Sequence, residues 1–290
     1  MKQAFSIFGD ADSYTFMNSR RIQYDGDSSQ EVYDNDYMAR STIPDDISEK
    51  KHILFLGDSF VFGDKLLRHE VVSAHFEKIL DNDEYCVINL GVNGSSFEHV
   101  LLRLQQWCNT FSDNIHSVYI GITALSRSTR WVVFEDGRPG DELDTDMYST
   151  WLDRPGNMLR FDFLPTTPPS KKQFPTEYNA YVHSLGLVSK INCLKRFETN
   201  LMHVKSIATV HNFNVYTFHS INDMLVSPEL GVIKSQIESD NFIYNERDML
   251  SDLGTLSGKD SEYHLPCRHW NTTGCEYVAN KMIDETKHWY

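Results

Sequence analysis

The chain has 290 residues, 40% of them apolar and 12% aromatic, enough for one large α/β domain with a buried core and unlike a disordered composition. With 41 acidic against 27 basic side chains the formal charge is −14, and no basic stripe appears, so a phosphate-backbone partner is excluded. No stretch approaches the roughly 20 apolar residues of a membrane span, and the opening MKQAFSIFGDADSYTF lacks the apolar run and cleavage site of a secretory signal, so a soluble, cytoplasmic protein is expected.

Residues 1–50 are acidic and rich in Tyr, Asp and Ser without a sustained period. They read as an irregular arm with one short strand, packed on a main domain formed by 51–290. From Lys51 the pattern sharpens. HILFLG is a continuous apolar run of strand length, as expected for a parallel strand covered on both faces. Leu67, Val71 and Ala74, with Val72, Phe76, Ile79 and Leu80, recur at helical spacing up to the polar DNDE break. YCVINLG (85–91) is a second strand, and Phe97, Val100, Leu101, Leu104, Trp107, Cys108 and Phe111 mark one face of a second helix. SVYIGI (117–122) is a third strand. Alternating strands and helices build βαβ units, and right-handed crossovers make these a parallel sheet between helices.

Residues 134–175 break this rhythm with Gly, Asp and prolines and read as an insertion, a long loop of the kind that often shapes a site. Leu187, Ile191, Leu194, Phe197, Leu201, Val204 and Ala208 then define a long core-packed helix, and FNVYTFH (213–219) a fourth strand. Residues 220–265 read as a short helix and a loop. Cys275, Val278, Ala279, Met282 and Ile283 mark a last helix, with Thr273 and Glu276 at capping-box spacing.

The five cysteines are an odd number set in apolar patterns, which fits buried free thiols better than a disulfide framework. His264, Cys267, His269 and Cys275 lie close together, but their spacing lacks the paired pattern of a structural zinc site, so no metal is expected.

In an open parallel sheet, ligands bind beyond the carboxyl ends of the strands, where Ser59 and the turns at 91–96 and 121–128 fall. Gly57-Asp58-Ser59 is not a phosphate loop, which needs GxxxxGK, nor a GxSxG elbow, since Val61 stands two beyond the serine. A serine after a strand can instead simply cap the next helix. Arg127 and Arg130, just past the third strand, could bind an anionic group or be solvated surface residues.

Three blocks taken together carry a resemblance: GDSF after a buried strand, NLGVNGSS after the next, and His-Trp-Asn-Thr-Thr-Gly leading into the last helix. In these the chain resembles the SGNH (GDSL-like) hydrolases from about Lys51 to its end, outside the 134–175 insertion. The resemblance implies a three-layer α/β/α sandwich with a flavodoxin-like parallel sheet. It also implies a metal- and cofactor-free serine esterase that acts on a short acyl ester of a small molecule or glycan, such as an O-acetyl group. Carried over, Ser59 is the nucleophile and an oxyanion donor through its own N–H. Gly94 supplies a second N–H, and His269 takes the serine proton.

Two positions depart from the family pattern. Its Gly-x-Asn-Asp block is here Gly121-Ile122-Thr123-Ala124, leaving Thr123, Asn93 or Ser126 to replace the asparagine donor, whose loss costs about 10²–10³ in rate. The aspartate three residues before the histidine is Pro266, which leaves Asp260 or Glu262 to orient His269; spoiling that acid can cost about 10⁴. These departures keep two other readings open: an SGNH-fold module that binds glycan or protein without catalysis, and acyl transfer to an acceptor alcohol.

Overall fold

The structure, a computed structural model, describes residues 21–24, 28–31, 39–92, 95–122, 127–134, 144–151, 158–161, 171–172, 190–220, 228–248, 262–265 and 269–290. In the N-terminal part β1 (Arg21–Tyr24) and β2 (Ser28–Glu31) pair antiparallel, so two strands stand where one was expected. A 3₁₀ turn over Ile47–Glu49 leads into the main sheet.

There β3 (Lys51–Leu56), the four-residue α1 (Ser59–Phe62), α2 (Val72–Leu80), β4 (Tyr85–Asn89), α3 (Phe97–Phe111) and β5 (Ile115–Ile122) follow in the expected alternation. The helix expected from Leu67 starts instead at Val72. The Glu70 carboxylate accepts from the Leu67 N–H at 2.8 Å and holds a 3₁₀ turn over Arg68–Glu70 ahead of it.

The stretch 127–172, which covers most of the expected 134–175 insertion, holds strands among its described residues. In it β6 (Arg127–Phe134), β7 (Asp144–Trp151), β8 (Met158–Phe161) and β9 (Lys171–Lys172) form a separate four-stranded antiparallel sheet. RSTRWVVF and DTDMYSTW are rich in β-branched and aromatic residues, which suit a pleated surface.

The chain then runs through α4 (Lys190–His211), β10 (Asn214–His219), α5 (Pro228–Ile237), β11 (Phe242–Asp248) and α6 (Thr272–Thr286). Residues 220–265 thus hold the expected short helix, α5, and also a fifth strand. As an edge strand, β11 carries charged residues in FIYNERD and lacks the apolar run of the central strands.

The main sheet has the order β11-β10-β5-β3-β4, and every pairing in it is parallel. Numbering its strands along the chain, the order is 2-1-3-4-5, that of the flavodoxin-like sheet.

Successive β3 side chains pack on opposite faces. Leu54 and Leu56 join Leu104, Trp107, Leu201 and Val204 under α3 and α4, while Ile53 and Phe55 join Phe76, Val278, Ala279 and Met282 under α2 and α6. Both faces of β3 are therefore dry, which is why its sequence shows no period. The fold is a three-layer α/β/α sandwich. Among the described residues, no helix is long and apolar enough to cross a membrane.

Candidate active site

The sheet order reverses between β3 and β5, so a crevice lies beyond their carboxyl ends. Ser59 stands there as the first residue of α1. It is not the cap. Asp58 takes that place in extended backbone, and its carboxylate accepts from the Phe60 N–H at 3.1 Å. With Asp58 capping, the Ser59 hydroxyl is not taken up by the helix start.

The strand-to-helix turn is close-packed. A Cβ on Gly57 would stand 2.5 Å from Val61 Cγ2 and 3.1 Å from the carbonyl oxygen of Gly121, so β3 can approach β5 here only as glycine. α1 is one turn long because Gly63, at φ +76°, ends it; the Gly63 and Asp64 N–H groups both donate to the Ser59 carbonyl at 3.0 Å.

Asn89, at the end of β4, ties the first two turns together. Its amide donates to the Val61 carbonyl at 2.8 Å and to Ser73 Oγ at 3.1 Å, and its Oδ1 accepts from the Gly91 N–H at 2.9 Å. Ser95 Oγ donates to the Gly57 carbonyl at 2.9 Å, and Ser220 Oγ, just past β10, to the Ile122 carbonyl at 3.0 Å. The ends of four strands are stitched into one polar floor.

His269 reaches this floor from the far end of the chain. Its carbonyl accepts from the Leu265 N–H at 2.8 Å, and the next residue, Trp270, pairs with His264 in an isolated bridge. Trp270 is buried against Phe60 and Phe218, with ring centroids 5.1 and 6.2 Å away, and so anchors the loop. The imidazole leans on the Phe60 ring at 4.9 Å. Nε2 of His269 lies 2.7 Å from Oγ of Ser59, across 210 positions of sequence. Nδ1, on the other side of the ring, lies 3.8 Å from Oδ2 of Asp64.

Of the site residues expected from sequence, Ser59 and His269 are brought together, whereas Gly94, Thr123 and Asp260 lie outside the described residues. Glu262 is exposed, and its backbone carbonyl accepts from the Asn271 amide at 2.8 Å. Asp64 was not singled out by sequence reading. Its only signal is its place five residues after Ser59, and no family block marks it.

For the zinc reading, His269 faces the serine and Cys275 is buried in α6, where burial pushes its thiol up to about 12, far from the thiolate a metal needs. Cys267 lies outside the described residues, and among those described no group of three His, Cys, Asp or Glu side chains could hold a metal ion. Cys86, Cys108, Cys193 and Cys275 are buried and unbridged. A cavity of about 710 Å³ between the 40–44 segment and α2, lined by Arg40, Ser73, Glu77 and Tyr85, contains neither Ser59 nor His269 in its wall.

No family model matches the sequence, and no curated protein matches it. Among solved structures the chain is similar to TesA, at 12% identity over 83% of this chain and 100% of that one, with a TM-score of 0.48. It is similar to the psychrotrophic esterase EstA from Pseudoalteromonas sp., at 16% identity over 83% and 98%, with a TM-score of 0.45. It is also similar to AlinE4, an SGNH-hydrolase family esterase, at 12% identity over 83% and 94%, with a TM-score of 0.39.

Proposed function

We propose that this protein is a serine esterase that removes a short acyl group, such as an O-acetyl, from a carbohydrate or other small molecule through an acyl-enzyme. The observation that carries the reading is the 2.7 Å contact between Ser59 Oγ and His269 Nε2, at the carboxyl end of β3 where a parallel sheet of this order places its ligands.

With the imidazole proton on Nδ1, the Ser59 hydroxyl donates to Nε2. As Oγ bonds to the ester carbonyl carbon, its proton passes to Nε2, and the carbonyl electron pair moves onto the oxygen. The Ser59 N–H is the donor assigned to that oxyanion, and the resemblance to the SGNH hydrolases assigns two more, the Gly94 N–H and the Thr123 hydroxyl. Collapse breaks the bond to the alcohol, which leaves with the proton held by His269. A water then gives its proton to the same nitrogen as its oxygen attacks the acyl carbon; collapse breaks the bond to Ser59 Oγ, which takes that proton back from Nε2, and the carboxylic acid leaves. No metal or cofactor enters any step.

A fluorophosphonate probe tests this directly, because it labels only an activated serine. Peptide mapping should find the label on Ser59, and the protein should hydrolyse an aryl acetate. Ser59→Ala should lose both, with turnover falling by about 10⁶. The substituted protein should keep its circular dichroism and melting point, since the helix cap is Asp58. An unlabelled protein that turns over no ester at any pH would replace this reading with the binding module. Acyl-enzyme that partitions to added alcohol faster than to water would make it a transferase.

A further inference from the structure

An imidazole acts as a base toward serine only while its other nitrogen holds a proton, and in a Ser-His-Asp system a carboxylate fixes that tautomer. Pro266 stands where the SGNH pattern has this carboxylate. We propose that Asp64, on the nucleophile's own loop, is the carboxylate that orients His269, an inference that rests on the esterase reading above.

The ring is bracketed. Ser59 Oγ stands 2.7 Å from Nε2, and Asp64 Oδ2 stands 3.8 Å from Nδ1, so each nitrogen faces the group its role requires. The second distance suits an ion pair, and a swing of about 1 Å brings it into the 2.7–3.2 Å range of a hydrogen bond. Contacts of this kind tighten when substrate fills the site. The side chains of His269 and Asp64 are only 21% and 13% exposed, so their attraction is less screened than that of a surface pair.

The backbone around Asp64 is held from three sides. Its own N–H donates to the Ser59 carbonyl, so nucleophile and acid belong to one hydrogen-bonded turn. The Leu66 N–H donates to the Gly63 carbonyl at 3.1 Å. From beneath, the buried Arg40 guanidinium donates to the carbonyls of Phe62, Gly63 and Leu66 and lies 4.2 Å over the Phe62 ring. Asp64 thus stays in reach of the imidazole without a mobile loop to carry it. In the SGNH pattern the acid travels with the histidine; here it travels with the serine, and His269 closes the triad from the opposite side.

In the reaction Asp64 remains ionised throughout. It accepts from Nδ1–H while Nε2 receives the Ser59 proton, then faces the imidazolium until the leaving alcohol takes that proton. Asp64 never touches substrate, and its effect passes through His269.

The test uses the full-length protein and the variants Asp64→Asn, Asp64→Ser, Asp64→Glu, Asp260→Asn and Glu262→Gln. Asp64→Asn and Asp64→Ser should each lower kcat for an aryl acetate by about 10⁴, with KM changed less than about threefold. Asp64→Glu should recover part of the loss. Asp260→Asn and Glu262→Gln should keep near-normal rates.

NMR of ¹⁵N-histidine-labelled protein supplies a readout independent of turnover. His269 should show its proton on Nδ1 in the unaltered protein and lose that preference in Asp64→Asn. The main-chain bonds around Asp64 are kept in both neutral variants, and circular dichroism should show each of them folded; Asp64→Ser gives the same comparison should the amide disturb the turn. Unchanged kcat together with an unchanged tautomer in a folded neutral variant overturns the proposal, as does a collapse of activity in Asp260→Asn or Glu262→Gln alone. If the unaltered protein hydrolyses no ester, the esterase reading fails by itself, and the tautomer comparison still decides what Asp64 does.

Discussion

Gly63 is the residue on which the local geometry of the site turns. Its φ of +76° lets α1 stop after one turn and send the chain toward Leu66, and the space a Cβ would need is filled by Val71 Cγ1. An alanine there meets both a left-handed backbone and a packed valine. Gly63→Ala should therefore cost about 1–3 kcal/mol, read as a lower midpoint in urea. Because Asp64 follows directly, the same substitution should lower kcat more than it raises KM. Arg40 acts on the same turn from below, donating to three of its carbonyls, so the N-terminal segment helps to build the surroundings of Ser59 from outside the sheet.

Among the elements, α6 and the strand-like segment before it matter most to the position of His269. The cap of this helix is Asn271, two residues before the expected Thr273, and its Oδ1 accepts from the Gly274 N–H at 2.9 Å; no capping box forms there, because Gly274 stands where the glutamate would. Asn271 also donates through its amide to the Glu262 carbonyl and through its backbone N–H to the Tyr263 carbonyl. It fastens both the helix start and the segment that pairs beside His269. Asn271→Ala should cost about 1 kcal/mol of stability by chemical denaturation. Its effect on kcat should be larger in proportion, since the imidazole lies two residues before the cap.

Over the whole molecule the two faces of the sheet differ in their buried histidines. Under α3 and α4 lie three: His52 receives a bond from Trp107 Nε1 at 3.1 Å, His99 sits within α3, and His219 meets the Tyr244 hydroxyl at 2.9 Å. Burial holds His52 below its ordinary value and lowers His219 to about 4, and burial with the Arg103 charge lowers His99 to about 3. In the unfolded chain the same groups bind protons near pH 6.5. Below that pH the unfolded state therefore holds more protons than the folded one, and stability falls with pH. The loss should begin near 6.5 and continue to about 4 for His219 and about 3 for His99, with a slope on the order of 1 kcal/mol per pH unit for each. Urea titrations between pH 7 and pH 4.5 should show this slope, and His219→Gln should flatten it by one proton's worth.

Four of the five parallel strands, the α/β order and the Ser59 and His269 that the structure brings together could be read from sequence, because each leaves a local mark. A strand covered on both faces must be an unbroken apolar run, and GDSF and the His-Trp-Asn-Thr-Thr-Gly segment are short blocks whose order along the chain carries meaning. The fifth strand, β11, leaves no such mark. It is an edge element with charged residues, and only its pairing with β10 makes it a strand. Nor does HILFL say which side chain joins which layer, since both faces are apolar and the choice comes from α3 and α4 on one side and α2 and α6 on the other. Asn271 and Thr273 are equally good caps by composition; the carbonyls of Glu262 and Tyr263 give the place to Asn271. The carboxylate beside His269 was least legible. Sequence proximity points to Asp260 and Glu262, but the histidine enters the site from one end of the chain and meets a turn from the other, and which acid faces Nδ1 is a distance that only the folded sheet creates.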